Sequence, residues 1–403
     1  MDENRDERAS AQTAPNSATT SKPSQAHGRY LDAHFGLRNH WYAAFFSADL
    51  DNGDTRAEVL LGERILFKRS GGTIYAIEDR CPHRGVALST RPECHSENTV
   101  TCWLHGFTFD VRDGQLVQIL TDPESRLIGN LAVPTYPIVE RSGVVFIFIG
   151  DREPPPLERD VQPKFVRPNL VVHPMGRTIV RSDWRLAAEI SIEGAHIYSH
   201  RLVDMVKNFG IPVPFSTLAS AEEIARVDSS EGPIGVISQP TRFVWSADLE
   251  GARVNAANYD PDNPPPPMDI ATGLFLPGVL EVEPFPMPGL VHLEWYVPID
   301  DNHYVYMFAT ATICDDPAEI EAFHRNCEEQ YRQSIMDFVD DDIFIREQLY
   351  HAYAHENWWQ REQLAELDAE VHHWRDLVEK HARGVQSPGN PTLAQQISRG
   401  QKR

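Results

Sequence analysis

Two short segments constrain this chain of 403 residues more than any other feature: Cys81-Pro82-His83-Arg84-Gly85 and Cys102-Trp103-Leu104-His105-Gly106, with 18 residues (84 to 101) between the first His and the second Cys. They form a C-x-H…C-x-x-H pair, and two thiolates with two imidazoles suit either tetrahedral zinc or a [2Fe–2S] cluster. Against zinc, the one-residue Cys-to-His gap is tighter than structural zinc sites use, and a strand-rich stretch of this length needs no metal to fold. A cluster makes use of the tight gap, because each loop can send its Cys to one iron and its His to the other. Neutral imidazoles on one iron also leave the cluster less negative than four thiolates would, which raises its potential. Cys94-His95, between the loops, matches neither spacing and reads as an exposed thiol in a turn.

The text around the motif is strands and turns. Glu58 to Lys68 reads as one strand, Ser70-Gly71-Gly72 turns the chain into Thr73 to Ile77, Asp113-Gly114 signals a hairpin, and Val144 to Ile149 is a buried strand. Pro154-Pro155-Pro156 then stops regular structure. The second part is mixed. Trp184 to Arg201 carries helical spacing, Pro261 to Pro267 is a loop, Val291 to Ile299 and Tyr304 to Ile313 read as adjacent strands, and the chain is helical beyond Pro317. Leu364, Leu367, Val371, Trp374 and Val378 step by 3 and 4, an apolar stripe expected to pack on the domain or on another subunit. The fold class expected is α+β: a small all-β domain (30–155) and a larger domain (156–388) with an antiparallel sheet covered by helices. Residues 1–29 are expected to be a disordered tail, and 389–403 a loose end.

The second chemical signal is Glu193-Gly194-Ala195-His196-Ile197-Tyr198-Ser199-His200. On a helix, His196 and His200 share a face and could take adjacent positions on one metal, with Glu193 one turn earlier. A carboxylate would complete a 2-His-1-carboxylate face, which leaves positions open on Fe(II) for dioxygen and substrate. Candidates are Asp337, Asp340, Asp341 and Asp342, interleaved with Phe338, Val339, Ile343 and Phe344, so that part of the run should point inward.

Charge narrows the partners. Thirty-seven basic against fifty-nine acidic residues give a net charge of −22, which disfavours nucleic acid or an anionic membrane surface. No segment approaches the roughly 18–20 apolar residues of a membrane span. The five cysteines are odd in number and sparse, so the chain reads as cytoplasmic and reduced.

Taken together, the cluster motif and the His-x-x-x-His segment some 90 residues later resemble the oxygenase component of a Rieske non-haem iron ring-hydroxylating enzyme. The likeness extends from about residue 30 to 388, through Phe35-Gly36-Leu37-Arg38-Asn39-His40-Trp41-Tyr42, Ser182-Asp183-Trp184-Arg185, Leu276-Pro277-Gly278-Val279-Leu280, Glu294-Trp295-Tyr296-Val297-Pro298 and Asp341-Asp342-Ile343-Phe344. The resemblance implies Cys81, His83, Cys102 and His105 as ligands of a [2Fe–2S] Rieske cluster. His196, His200 and Asp342 would be the ligands of one mononuclear Fe(II). Glu193 stands where the family has an Asp bridging an iron-ligating His to a Rieske His of the neighbouring subunit, which implies a head-to-tail homotrimer. The implied pocket residues are Ile190, Ser191, Ile192, Leu280, Phe285 and Phe338. Ile190 and Ser191 would face the substrate, with the Ser191 carbonyl as acceptor for a ring N–H.

Implied partners are dioxygen, an aromatic substrate, and a ferredoxin fed by a separate NAD(P)H-dependent reductase. The implied reaction is dioxygenation of a planar fused ring such as carbazole. Two departures are visible: Glu193 is a methylene longer than Asp, and Ile190 replaces an Asn. The same machinery could hydroxylate a heteroaromatic such as an oxoquinoline once only, and a chain without the second iron would be an electron carrier. Oxygen-atom counting in the product and iron per chain separate these readings.

Overall fold

The computed structural model describes residues 27–203, 215–218, 224–228, 231–245, 270–365 and 368–389. Residues 1–26 of the expected tail, the Pro261–Pro267 loop, Leu367 and the residues after 389 lie outside the described residues.

The first part is all strand. β1 (His40–Phe46), β2 (Thr55–Leu60), β3 (Glu63–Ser70), β4 (Thr73–Glu78), β5 (Thr99–Thr101), β6 (Phe107–Asp110), β7 (Leu116–Ile119), β8 (Thr135–Tyr136), β9 (Ile138–Arg141) and β10 (Val144–Ile149) form three antiparallel sheets, ordered β2-β3-β4-β8, β5-β6-β7 and β1-β10-β9. Glu58 to Lys68 is a hairpin rather than one strand. Leu61 and Gly62 turn it at positive φ (52° and 73°), with Leu60 paired to Glu63. A leucine is no turn signal, because left-handed backbone disfavours side chains. Here the amides of Leu61 and Gly62 donate to Pro298 and Ile299 of the other domain, so tertiary contacts hold the turn.

The second part is built on an eight-stranded antiparallel sheet of β11 (Leu170–Val180), β12 (Phe215–Leu218), β13 (Ile224–Asp228), β14 (Ile234–Trp245), β15 (Ile270–Phe275), β16 (Val279–Glu283), β17 (Val291–Pro298) and β18 (Tyr304–Ile313). Its order is β11-β18-β17-β16-β15-β14-β12, with β13 also on β14. Strand periodicity sorts its two faces. Leu293, Trp295, Val297, Val305 and Met307 join one core with Phe45, Phe146 and Ile147 of β1 and β10, so the small domain packs on that face. Tyr296, Tyr304, Tyr306 and Phe308 belong to a second core under the helices. A third cluster, including Leu66, Phe107 and Phe109, holds Cys81 and Cys102.

Helices cover the second face. After a short α1 (Gly28–Asp32), α2 (Trp184–Ile192) starts at Asp183, whose side chain caps the Arg185 amide, and it is buried all round. α3 (Pro317–Asn326) runs through one π turn into α4 (Arg332–His355); α5 (Ala369–His381) closes the domain. The expected helix to Arg201 stops at Ile192. Glu193 is extended (φ −73°, ψ 123°), and Gly194–His200 is a separate 3-10 turn. Gly194, a poor helix former, stands at the break.

Helix beyond Pro317 is likewise interrupted, with left-handed Asn357 (φ 58°) before a 3-10 turn (Trp358–Gln360) and an irregular stretch that holds Leu364, so Leu364 is off the stripe. Trp374 and Val378 belong to this chain's own core, and Val371 is also buried.

Candidate active site: two metal centres and a cavity

The two cysteine loops have one construction. The Cys81 amide donates to the Val86 carbonyl and the Gly85 amide to the Cys81 carbonyl; Cys102 with Phe107, and Gly106 with Cys102, repeat the pattern. Gly85 and Gly106 close the loops at φ 77° and 69°, where a side chain would be strained. Both thiols are buried, and burial together with the neighbouring Cys102 thiol pushes Cys81 up to about 11. The imidazoles lie outward, His83 and His105 with ring centres 4.8 Å apart and His83 stacked on Phe107 at 4.7 Å. Cys94 is exposed, and no cysteine is in a disulfide.

Two buried thiols beside paired imidazoles are the donor set a cluster with two Cys-ligated and two His-ligated positions needs. The buried His105 Nδ1 has no hydrogen-bond partner, which points the same way.

The second centre lies at the end of α2. Ligand atoms of His196, His200 and Asp342 all fall within 4.8 Å of one another, the one such group among the described residues. His196 Nδ1 sits 2.6 Å from the Glu193 carbonyl, so it donates there and Nε2 is left for a metal. His200 is fully buried and stacks on Phe338 at 3.6 Å; neither of its nitrogens, nor Asp342 Oδ1, has a hydrogen-bond partner. His200 Nε2 and Asp342 Oδ1, buried without hydrogen-bond partners and 3.4 Å apart, are costly to leave so unless a cation lies beside them.

Asp342 is the inward member of the acidic run, since Asp337 and Asp340 are exposed and the Asp341 side chain is 40% exposed. Burial alone would raise the Asp342 carboxyl, but Arg346 at 3.4 Å and His200 overcome it and hold it well below the carboxylate range.

Glu193 differs from the expectation in one respect. Within this chain its main-chain carbonyl, not its carboxyl, orients His196. The carboxyl is buried near Asp368 and Glu189, and burial with those charges pushes it up to about 8.

A cavity adjoins the triad. Ser191, Ile192, Leu280, Phe285 and Phe338 are among the residues that line it; Ile190, expected to face the substrate, is not. Ile190 instead lies one residue back in the fully buried α2. Among the described residues nothing donates to the Ser191 carbonyl, which lies in the last turn of α2.

The sequence reading missed the polar wall. His292 and Glu294 on β17 also line the cavity, with His292 Nε2 2.9 Å from Glu294 and the Tyr296 hydroxyl donating to the same carboxylate. Fully buried Arg346 packs against the stacked rings of Tyr296 and Tyr306 and donates to Ser191 Oγ at 2.7 Å. The available signal was His and Glu at alternate positions of an otherwise apolar strand.

A 2-His-1-carboxylate group beside an apolar cavity, in a chain that also carries paired Cys/His loops, defines a class of oxygenase. Residues 40–137 match the Rieske [2Fe-2S] domain and residues 148–386 the homotrimeric ring hydroxylase domain. The chain belongs to the Rieske non-haem iron ring-hydroxylating oxygenases, enzymes that carry one [2Fe–2S] cluster and one mononuclear iron per chain.

Among its relatives, the terminal oxygenase component of carbazole 1,9a-dioxygenase from a Sphingomonas species is 37% identical over 89% of this chain and 95% of its own length. The solved terminal oxygenase of carbazole 1,9a-dioxygenase from Nocardioides aromaticivorans IC177 superposes with a TM-score of 0.84 at 34% identity, over 90% of this chain and 100% of that one. A solved complex of the oxygenase and ferredoxin of carbazole 1,9a-dioxygenase gives 0.81 at 34% identity, over 90% of this chain and 94% of that chain. Among the described residues no helix is long and apolar enough to cross a membrane.

Proposed function

We propose that this chain is the terminal oxygenase component of a multicomponent, cytoplasmic dioxygenase that adds both atoms of dioxygen to carbazole or a similar fused heteroaromatic, with electrons from a ferredoxin. The observation that carries the reading is the convergence of His196, His200 and Asp342 on a largely apolar cavity walled by the flat rings of Phe285 and Phe338. When bound, the cluster held by Cys81, His83, Cys102 and His105 supplies single electrons, and the iron held by His196, His200 and Asp342 supplies dioxygen activation.

The chain's own groups do the rest. Glu193 orients His196 through its carbonyl, and Arg346 keeps Asp342 anionic. Phe285 and Phe338 exclude water and hold a planar ring, while the Ser191 carbonyl accepts a ring N–H and orients it. Exposed Trp103 and Leu104, beside exposed His83, give the cluster loops an apolar rim, which supports docking of another chain there. In the assembled trimer the Glu193 carboxyl, a methylene longer than Asp, would bridge to the neighbouring subunit.

The test is to incubate the purified protein with carbazole, ferredoxin, reductase and NADH and to identify the product. A ring-opened aminobiphenyl diol carrying two oxygens from dioxygen is expected. A singly hydroxylated carbazole, or no product, rejects the dioxygenase reading. Asp342→Ala is the control: turnover should vanish and iron per chain fall from three to two, with the cluster's absorbance unchanged.

A further inference from the structure

His292 is the second residue of β17, 2% exposed, on the cavity wall. Its Nε2 lies 2.9 Å from Glu294 Oε1. Glu294 also accepts the Tyr296 hydroxyl, and its carboxyl stays below the usual range: burial raises it, but His292 and Arg346 outweigh that. A carboxylate can only accept, so the Nε2 proton of His292 is fixed on the Glu294 side. In the neutral ring, Nδ1 is then a bare acceptor, and it is buried without a hydrogen-bond partner among the described residues. The ring is held by an edge contact with Phe285 at 5.3 Å between centres. A buried acceptor with nothing to accept from is costly, and in a substrate cavity the substrate can supply the missing donor.

We propose that His292 is a specificity-determining residue whose Nδ1 accepts from a second donor on the substrate, beyond the ring N–H assigned to the Ser191 carbonyl. The preferred substrates are therefore fused heteroaromatics bearing an additional O–H or N–H rather than the bare ring system. This rests on the fused-ring reading above and deepens it. A ligand lacking the donor leaves Nδ1 unpaired, so discrimination of about tenfold is expected from one hydrogen bond.

The experiment measures dissociation constants of the anaerobic holoenzyme, by ligand fluorescence, for carbazole, its four monohydroxy isomers and their methyl ethers. At least one hydroxy isomer should bind about tenfold more tightly than carbazole, and its methyl ether should lose the advantage. His292→Leu should bring that isomer to within about twofold of carbazole measured on the same variant. His292→Gln, whose amide can still donate to Glu294 and present an oxygen, should keep part of the preference. If the leucine variant does not fold, His292→Phe replaces it with a ring of similar size. Carbazole binding with no hydroxyl advantage, or an advantage that survives His292→Leu, overturns this inference alone. Failure of the wild type to bind any of the ligands overturns the fused-ring reading as well.

Discussion

Arg346 shows how one side chain links two functional walls. It is fully buried, 3.4 Å from the carboxylate of Asp342 and 3.9 Å from that of Glu294. It neutralises two acids that would otherwise repel in a medium of low dielectric. Replacing it with Met keeps much of the volume and removes the charge. Arg346→Met should cost about 3–5 kcal/mol of stability, because it leaves buried carboxylates uncompensated. Denaturant unfolding measures this, and a loss below about 1 kcal/mol would mean that the pair carries little. Arg346 lies one helical turn from Asp342, yet nothing in the sequence separates it from any other arginine on α4. Its other partners, Glu294 on β17 and Ser191 on α2, come from segments distant in the chain. Asp342 itself was legible through the Asp-Asp-Ile resemblance, whereas the four acids alone left the choice open.

Among the elements, the two cysteine loops were the most legible, since the ligands of each lie within four residues and local spacing fixes their geometry. Gly106 is central to one of them. An added Cβ would lie 2.7 Å from Leu120 Cβ, and the residue sits at φ 69°. Gly106→Ala should lower stability by roughly 1–2 kcal/mol from the left-handed backbone alone and reduce cluster content per chain. Visible absorbance normalised to protein reads this out; wild-type cluster occupancy would show that the loop tolerates the change. The helix carrying His196 and His200 was only half legible. Its apolar content from Trp184 to Ile192 was clear, but the break at Glu193 was not. A 3-10 turn keeps the two imidazoles close, with ring centres 5.5 Å apart, so the metal signal survived a wrong element.

For the whole molecule, the contact between the two domains includes a buried cluster. His40 Nδ1 lies 2.8 Å from Asp160, whose carboxylate also takes the Trp41 amide and the Arg383 guanidinium from the far end of the chain. Burial holds His40 below its ordinary pKa despite Asp160. The folded state therefore keeps His40 neutral where the unfolded chain, titrating near 6.5, takes up a proton. Stability is complete above about pH 6.5 and falls as the pH drops below it, by up to about 1.4 kcal/mol per unit for this one group. Denaturant midpoints between pH 7.5 and 5 should fall along this course, and His40→Asn should flatten it. Equal slopes in the two proteins would exclude His40 as the source.

The amino-acid sequence alone determined the chemistry on offer: thiols and imidazoles at loop spacing, a His pair, an acidic run, and the alternation that makes Val291–Pro298 a buried strand. Those features are local, and covalent geometry turns them directly into shape. The tertiary structure decided where α2 breaks, that Leu61 can turn a hairpin, and that His292, Glu294 and Arg346 meet. Such outcomes depend on contacts between residues far apart in the chain, where burial and charge, rather than periodicity, select the partner.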